Sequence, residues 1–280
     1  MAANSKKLYG TSSGEISCEQ LKVLYLHNNS IQRIANLDQL IHLTHLYLQW
    51  NRIGKMENLN QLKNLRKLYL SYNEISCLEG IDDLNFLEEL HLEYQNVQPQ
   101  QEFTFDVNSL IGISTSLREL NISGLQLTEL KILKTLPHLA KLSAADNNFE
   151  TSDYIASSIN HLNCLQVAVF AGCPAQKRDI HYRNKIILGS KSLEMLDNKE
   201  VNEVTRAFLK SFDRIKTEQK QKLTNTNSSC NKAVDIDIRE DLPLIHSEGI
   251  AFDVTNIISQ AIVENIQNKP WVKFREEDTQ

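Results

Sequence analysis

The sequence predicts an α/β solenoid with short parallel strands on its concave face and returning turns or helices behind them. Three observations predict it. The pattern LxxLxLxxNxI begins at Leu21, Leu43 and Leu65 and, with Gln in the Asn place, at Leu87, so its start recurs every 22 residues. After a longer unit it resumes at Leu117 and Leu139, and a degraded copy begins at Leu165, giving seven units in all. In every unit the fourth place (Leu24, Leu46, Leu68, Leu90, Leu120, Leu142, Ala168) and the sixth (Leu26, Leu48, Leu70, Leu92, Ile122, Ala144, Phe170) are apolar.

Alternation at the fourth and sixth places is the two-residue period of a strand, whereas Ile31, Ile34, Leu37 and Leu40 advance by three, as in a helical or 3₁₀ return. Each coil is therefore strand, turn and short helix. A single unit buries too little apolar surface to offset the entropy of ordering it, so the coils must stack in register to form one core. Asn29, Asn51, Asn73 and Asn147 hold the ninth place, where an amide both donates to and accepts from backbone groups of the turn. Gln95, Leu125 and Cys173 stand there in the other units, which predicts local distortion. The fourth unit carries about eight extra residues in QPQQEFTFDVNSLIGIS, expected to form a bulging loop followed by a helix on the convex side.

With 280 residues and a hydrophobic fraction of 41%, the chain holds one large folded domain or two small ones. Its net charge of −5 argues against nucleic-acid or anionic-membrane partners, which select a basic face. MAANSKKLYG lacks the apolar core of a signal peptide, and no run of 18 apolar residues occurs, so a soluble, intracellular protein is expected. Cys18, Cys77, Cys164, Cys173 and Cys230 lack the paired spacing of a disulfide framework or zinc site and read as reduced thiols. The sequons at Asn28, Asn121 and Asn227 are then chance matches. There is no Gly-rich phosphate loop, HExxH helix or nucleophile in a recognisable setting. His42 and His45 belong to different surfaces and have no third ligand. The expectation is a non-catalytic protein with no cofactor and no metal.

The third, fifth, seventh and eighth places of each strand point away from the core. The fifth places read Tyr25, Tyr47, Tyr69 and His91, and the eighth Asn28, Trp50, Tyr72 and Tyr94. Neighbouring strands lie about 4.8 Å apart, so these residues form two ladders of rings. Rings exposed over several coils mark an interface. Rings that only stack across strands stabilise the sheet by roughly 0.2 to 1 kcal/mol per pair. Binding is the favoured reading, because Trp50 has Asn28 beside it and little to stack on. The flanking Arg66, Lys67, Glu88, Glu89 and Glu93 read as solvated charges.

Over residues 21 to about 200 this pattern resembles the leucine-rich repeat. YRNKIILGSKSLEMLD, residues 182 to 197, resembles the C-terminal cap of intracellular leucine-rich-repeat proteins at Tyr182, Arg183, Ile186, Ile187, Leu193, Leu196 and Asp197. The 22-residue unit, the cap and the segments LTHLYLQ, FTFDVNSL, LRELNIS and SKSLEMLDNKEV resemble the class that includes the leucine-rich regulatory subunits of protein phosphatase 1. That resemblance implies a cytoplasmic, non-catalytic subunit that binds the phosphatase catalytic subunit. It also implies association with the cytoskeleton through microtubules, tubulin, dynein and the centrosome or microtubule-organising centre.

Related subunits dock the phosphatase through aromatic and acidic side chains in the fifth and nearby places. Here the matching positions are Tyr25, Tyr47, Trp50, Tyr69, Tyr72, His91 and Tyr94, with Glu89 and Glu93 as the nearest acids. Val272 and Phe274 also match the core of a short phosphatase-docking motif, or else they pack with Trp271 on the solenoid. The alternative function is a cytoskeletal adaptor that holds tubulin or a dynein chain without regulating a phosphatase.

The organisation that follows begins with an N-terminal segment, residues 1–20. In it, either Lys7, Leu8 and Tyr9 improvise a cap or an earlier repeat has been lost. Residues 21–181 hold the seven repeats and 182–200 the cap. A helix is expected over 201–223, with Val201, Val204, Phe208, Phe212 and Ile215 on one face packing partly on the cap. Residues 224–280 read as a linker and mobile tail, with one amphipathic helix around Val254 to Gln267.

Overall fold

A computed structural model describes residues 20–98 and 101–227 of the chain, in two compact units of which the first ends at Leu209 and the second begins at Lys210. The first unit is a leucine-rich-repeat solenoid. Its strands are three residues long and occupy the third to fifth places: β1 Val23–Tyr25, β2 His45–Tyr47, β3 Lys67–Tyr69, β5 Glu89–His91, β7 Glu119–Asn121, β8 Lys141–Ser143 and β9 Val167–Val169. They pair in parallel and in register, Leu24 beside Leu46, Leu46 beside Leu68 and so on to Leu142 beside Ala168. Such short strands hold because the ladder continues past them: Leu26 N–H donates to Tyr47 O at 2.8 Å and Asn28 N–H to Gln49 O at 2.9 Å, and the same bonds recur coil after coil. From the second coil onward the fourth and sixth places are buried, and they form the core.

The returns differ from the expected strand, turn and short helix. In the first three coils they are successive turns, with i to i+3 hydrogen bonds such as Leu40 N–H to Leu37 O and Leu43 N–H to Leu40 O, both 2.9 Å. The three-residue leucine spacing was thus that of chained turns. Asn36, Asn58 and Gly80 adopt positive φ (61°, 58° and 70°), which interrupts any helix before it starts. Later units hold more: α1 Val107–Ile113 in the longer fourth unit, α2 Ser152–Ile159 in the longer sixth, and a 3₁₀ turn Lys131–Thr135 in the fifth. Asp106 and Thr151 cap α1 and α2 by accepting from Ser109 and Tyr154 N–H at 2.8 and 3.3 Å. In the third unit β4 Cys77–Leu78 pairs with β6 Thr104–Phe105 of the fourth, ahead of α1, the bulge and helix the inserted residues predict.

The cap closes the sheet. After α3 Pro174–Arg178 and α4 Tyr182–Gly189, β10 Met195–Leu196 joins β9 in parallel, and β11 Lys199–Glu200 turns back antiparallel. Asp197 ties the cap to the last coil, accepting Phe170 N–H at 2.8 Å and the Tyr182 hydroxyl at 2.9 Å. The last described helix, α5 Glu203–Asn227, presents Arg206 and Leu209 inward, not Val204, which is 62% exposed. Arg206 donates to Ile187 O and Ser190 O, acceptors at the end of α4, and to Leu193 O in the segment after it. In the second unit the helix runs to Asn227, past residue 224 where a linker was expected. Lys7 to Tyr9, Val254 to Gln267, Val272 and Phe274 lie outside the described residues. Among those described, no helix is long and apolar enough to cross a membrane.

Candidate protein-binding face

The concave face is set by what happens just after each strand. Asn51 donates to Leu48 O of its own coil and Leu26 O of the coil before, both at 2.9 Å, and accepts Ile31 N–H at 3.0 Å. Asn73 and Asn147 repeat this set one coil at a time. Gln95 makes the same bonds with a side chain one carbon longer, to Leu70 O at 2.9 Å, Leu92 O at 3.0 Å and Ile75 N–H at 2.9 Å. Distortion there is confined to Asn96 N–H, which reaches Asn73 O at 2.6 Å, whereas its counterparts at Arg52 and Glu74 reach Ile31 O and Ile53 O. Cys173, buried and with its thiol pushed up in pKa by that burial, directs Sγ to Ala144 O at 3.5 Å. Leu125 fills the place without an amide, and the strand register on either side is unbroken.

Every eighth place is left-handed: φ is 56° at Asn28, 58° at Trp50, 56° at Tyr72, 54° at Tyr94, 67° at Gly124, 51° at Asp146 and 82° at Gly172. Asn, Asp and Gly tolerate this conformation, but for a large aromatic it is costly, on the order of 1 kcal/mol or more. Three consecutive coils nonetheless carry rings there. The Asn, Gly and Asp at this place in the other coils are the sequence signal of the left-handed turn, which Trp50, Tyr72 and Tyr94 by themselves do not carry.

The rings form the two ladders that the 22-residue spacing predicts. Centroids of Tyr25 and Tyr47 are 4.6 Å apart, Tyr47 and Tyr69 4.7 Å, and Tyr69 and His91 4.4 Å. In the second ladder Trp50 lies 3.8 Å from Tyr72 at an interplanar angle of 7°, and Tyr72 lies 5.3 Å from Tyr94. Trp50 therefore does stack, contrary to the expectation, because its partner is the coil after it and not Asn28 before it. Tyr25 and Trp50, at the leading ends, are 63% and 54% exposed, while Tyr47, Tyr69 and Tyr72 are half-buried between neighbours.

Tyr94 reaches two coils along to donate to Asp146 Oδ2 at 2.7 Å, which, with some burial, pushes its pKa up to about 12. Gly124 makes this possible, since a Cβ there would sit 2.3 Å from the Tyr94 ring.

Most of the flanking charges are paired between coils, with Arg66 and Glu88 still about half open to solvent. Arg66 bonds Glu88, Lys67 bonds Glu89 at 2.6 Å, and Lys141 bonds Glu119 at 3.1 Å, each pair joining adjacent coils. Glu89 also accepts from the Tyr69 hydroxyl at 2.7 Å. Burial pushes the Glu89 carboxyl up, but the hydrogen bonds from Lys67 and Tyr69 outweigh it and hold Glu89 below the usual carboxylate value. Glu93 is the exception. Burial pushes it up too, and the His91 ring, its own backbone N–H and the Ser71 hydroxyl draw it below its ordinary value. His91 Nδ1 stops 3.7 Å from Glu93 Oε2, beyond hydrogen-bond range. Among the described residues no group of His, Cys, Asp or Glu is arranged to hold a metal ion.

No family model matches the sequence. Among solved structures, the chain is similar to a leucine-rich-repeat protein of Leptospira interrogans, at 25% identity and TM-score 0.46 over 60% of this chain and 42% of that one. It is also similar to two internalins of Listeria monocytogenes. For internalin F the identity is 19% and the TM-score 0.48 over 65% of this chain and 55% of that one. For internalin C2 the values are 20% and 0.45 over 64% and 81%. The chain thus spans about two fifths of the first and just over half of the second. The solenoid is established by its own strand register.

Proposed function

We propose that this chain is a protein-binding scaffold whose concave face, along Tyr25, Tyr47, Tyr69 and Trp50, Tyr72, Tyr94, grips a partner protein. One observation carries the proposal: large rings occupy left-handed positions at Trp50, Tyr72 and Tyr94, where Asn, Asp or Gly serves the fold in the other coils. Stacking, worth about 0.5 to 1.5 kcal/mol per pair, offsets that strain for Tyr72, which has a ring on both sides, and Tyr94 adds its bond to Asp146. Trp50 has one neighbour and keeps half its surface in solvent, the profile of a binding anchor.

The finer reading rests on the sequence resemblance to regulatory subunit 42 of protein phosphatase 1. On that reading the partner is the phosphatase catalytic subunit, bound in the cytoplasm near microtubules and the centrosome, and the chain does no chemistry of its own. The alternative adaptor would hold tubulin or dynein on the same face.

The test is binding of purified phosphatase 1 catalytic subunit, tubulin and dynein to the immobilised full chain and to its Tyr47→Ala, Trp50→Ala double variant. Two anchors of about 2 kcal/mol each, about 4 kcal/mol together, predict a loss of roughly 700-fold, at 1.4 kcal/mol per tenfold. Phosphatase capture that the variant leaves unchanged defeats the phosphatase reading. A loss confined to tubulin or dynein selects the adaptor.

A further inference from the structure

Between the two ladders runs a trough of about 350 Å³, lined by Tyr25, Tyr47, Trp50 and Tyr72 on its walls and by Gln49, Ser71 and Glu93 on its floor. The stacked rings spend their faces on one another, so the trough meets mainly ring edges, which suit an aliphatic stem. The floor is different in kind. Gln49 Oε1, Ser71 Oγ and Glu93 Oε2 lie on three consecutive coils and are buried; the Ser71 hydroxyl faces Glu93, and among the described residues Gln49 Oε1 and Glu93 Oε2 receive no lysine or arginine donor. All three can accept a hydrogen bond, and the Ser71 hydroxyl can also donate one. Ser71 as a whole is 2% exposed, whereas the Glu93 side chain keeps 17% of its surface open, so Glu93 is the part of the floor that an entering head meets first.

Glu93 also differs from its neighbours in charge pairing. Glu88, Glu89 and Glu119 each have a Lys or Arg within 4 Å, but the group nearest Glu93 is His91, which is charged only when protonated and is equally close to Glu119, at 3.7 Å. Turning the Ser71 hydroxyl onto Glu93 would still leave Gln49 Oε1 and the charge of Glu93 unmatched. A buried anion without a counter-ion is unfavourable, and a set of acceptors is complemented by a group that only donates.

We propose that this trough is the docking slot for one basic side chain, a lysine or arginine, of the partner protein, its stem between the ring edges and its charged head on Gln49, Ser71 and Glu93. The slot rests on the reading of the concave face as the docking surface and adds the chemistry of what enters it. A lysine ammonium supplies three donors and no acceptor, and the guanidinium of arginine five. Peptide backbone is a poorer fit, because each N–H brings a carbonyl that the floor cannot serve.

The probes are capped nonapeptides of alanine and glycine with one central lysine or arginine, or norleucine in its place. They are titrated into the full chain, and the Trp50 indole and Ser71 amide resonances are followed. Saturable shifts with the lysine or arginine peptide and none with norleucine are expected. Glu93→Gln should weaken that binding about tenfold or more, the usual loss when one member of a charge-assisted pair is removed, while thermal unfolding stays within a few degrees of the parent. Equal binding of the norleucine peptide, no saturable shift with either basic peptide, or indifference to Glu93→Gln overturns the slot.

The two ideas fail separately. Loss of phosphatase, tubulin or dynein capture in the ladder double variant but not in Glu93→Gln keeps the docking face and removes the slot. Capture that neither variant affects removes the face itself.

Discussion

Replacing Asn73 with alanine measures how far the solenoid depends on its amide ladder. Asn73 is 1% exposed, and its side chain donates to Leu48 O at 3.0 Å and Leu70 O at 2.9 Å while accepting Ile53 N–H at 3.0 Å. The two carbonyls keep other donors, Asn51 Nδ2 and Gln95 Nε2, both at 2.9 Å, but Ile53 N–H is left with none. Two redundant bonds at about 1 kcal/mol each and one orphaned buried N–H at roughly 1 to 3 kcal/mol give a loss of about 4 kcal/mol. Asn29→Ala removes two bonds within a single exposed turn and is expected to cost under about 1 kcal/mol.

Asn73→Asp keeps the acceptor for Ile53 but turns an oxygen on two carbonyl oxygens, so it should be at least as harmful as alanine. Asn73→Gln, which copies Gln95, should be the mildest of the three. Urea unfolding followed by circular dichroism reads these differences as midpoint shifts at constant slope. The reasoning is refuted if Asn73→Ala is no worse than Asn29→Ala, or if aspartate outperforms alanine.

Three further outcomes are expected. Trp50→Asn exchanges a stacked ring for a residue at ease in the left-handed region, so unfolding should move by no more than about 1 kcal/mol either way while partner binding falls; a loss above about 2 kcal/mol would make the ring structural. Asp146→Asn removes the charge that raises Tyr94, so ultraviolet titration should find that hydroxyl moving from about 12 toward the ordinary value of about 10. Because the folded value is raised, the stabilisation from this bond is complete below the unfolded pKa and disappears as pH rises through the folded one. In the variant that alkaline loss should shrink. Arg206→Met strips three backbone carbonyls of their donor and should destabilise the cap by about 3 kcal/mol, seen as faster amide exchange in α4 before the β3 and β5 strands; unchanged α4 exchange would show the bonds to be dispensable.

Much of this protein is legible from one number, the 22-residue period. It identifies the buried columns, the in-register strands and the ladders of Tyr25, Tyr47 and Tyr69, because residues at the same place in successive coils must become neighbours once the leucines stack. The cap was legible too, since Tyr182 bonds Asp197 and Arg183 bonds the Leu196 carbonyl within one short segment. Where the expectation slipped, the deciding contact lay outside the repeat logic. Val204 fits a helical stripe, but carbonyls at the end of α4 and just after it draw Arg206 inward instead. The returns of the first coils have helical leucine spacing, but positive φ at Asn36, Asn58 and Gly80 makes them turns.

The sequence by itself, then, determined which side chains share a column, because that follows from counting residues along a chain that closes each coil at the same length. Only the tertiary structure decided how the columns are used. It set the left-handed backbone under Trp50, Tyr72 and Tyr94, paired Lys67 with Glu89, laid Tyr94 across Gly124 to Asp146, and left Glu93 without a Lys or Arg partner. Those outcomes depend on side-chain reach and direction between coils, which spacing along the chain does not encode.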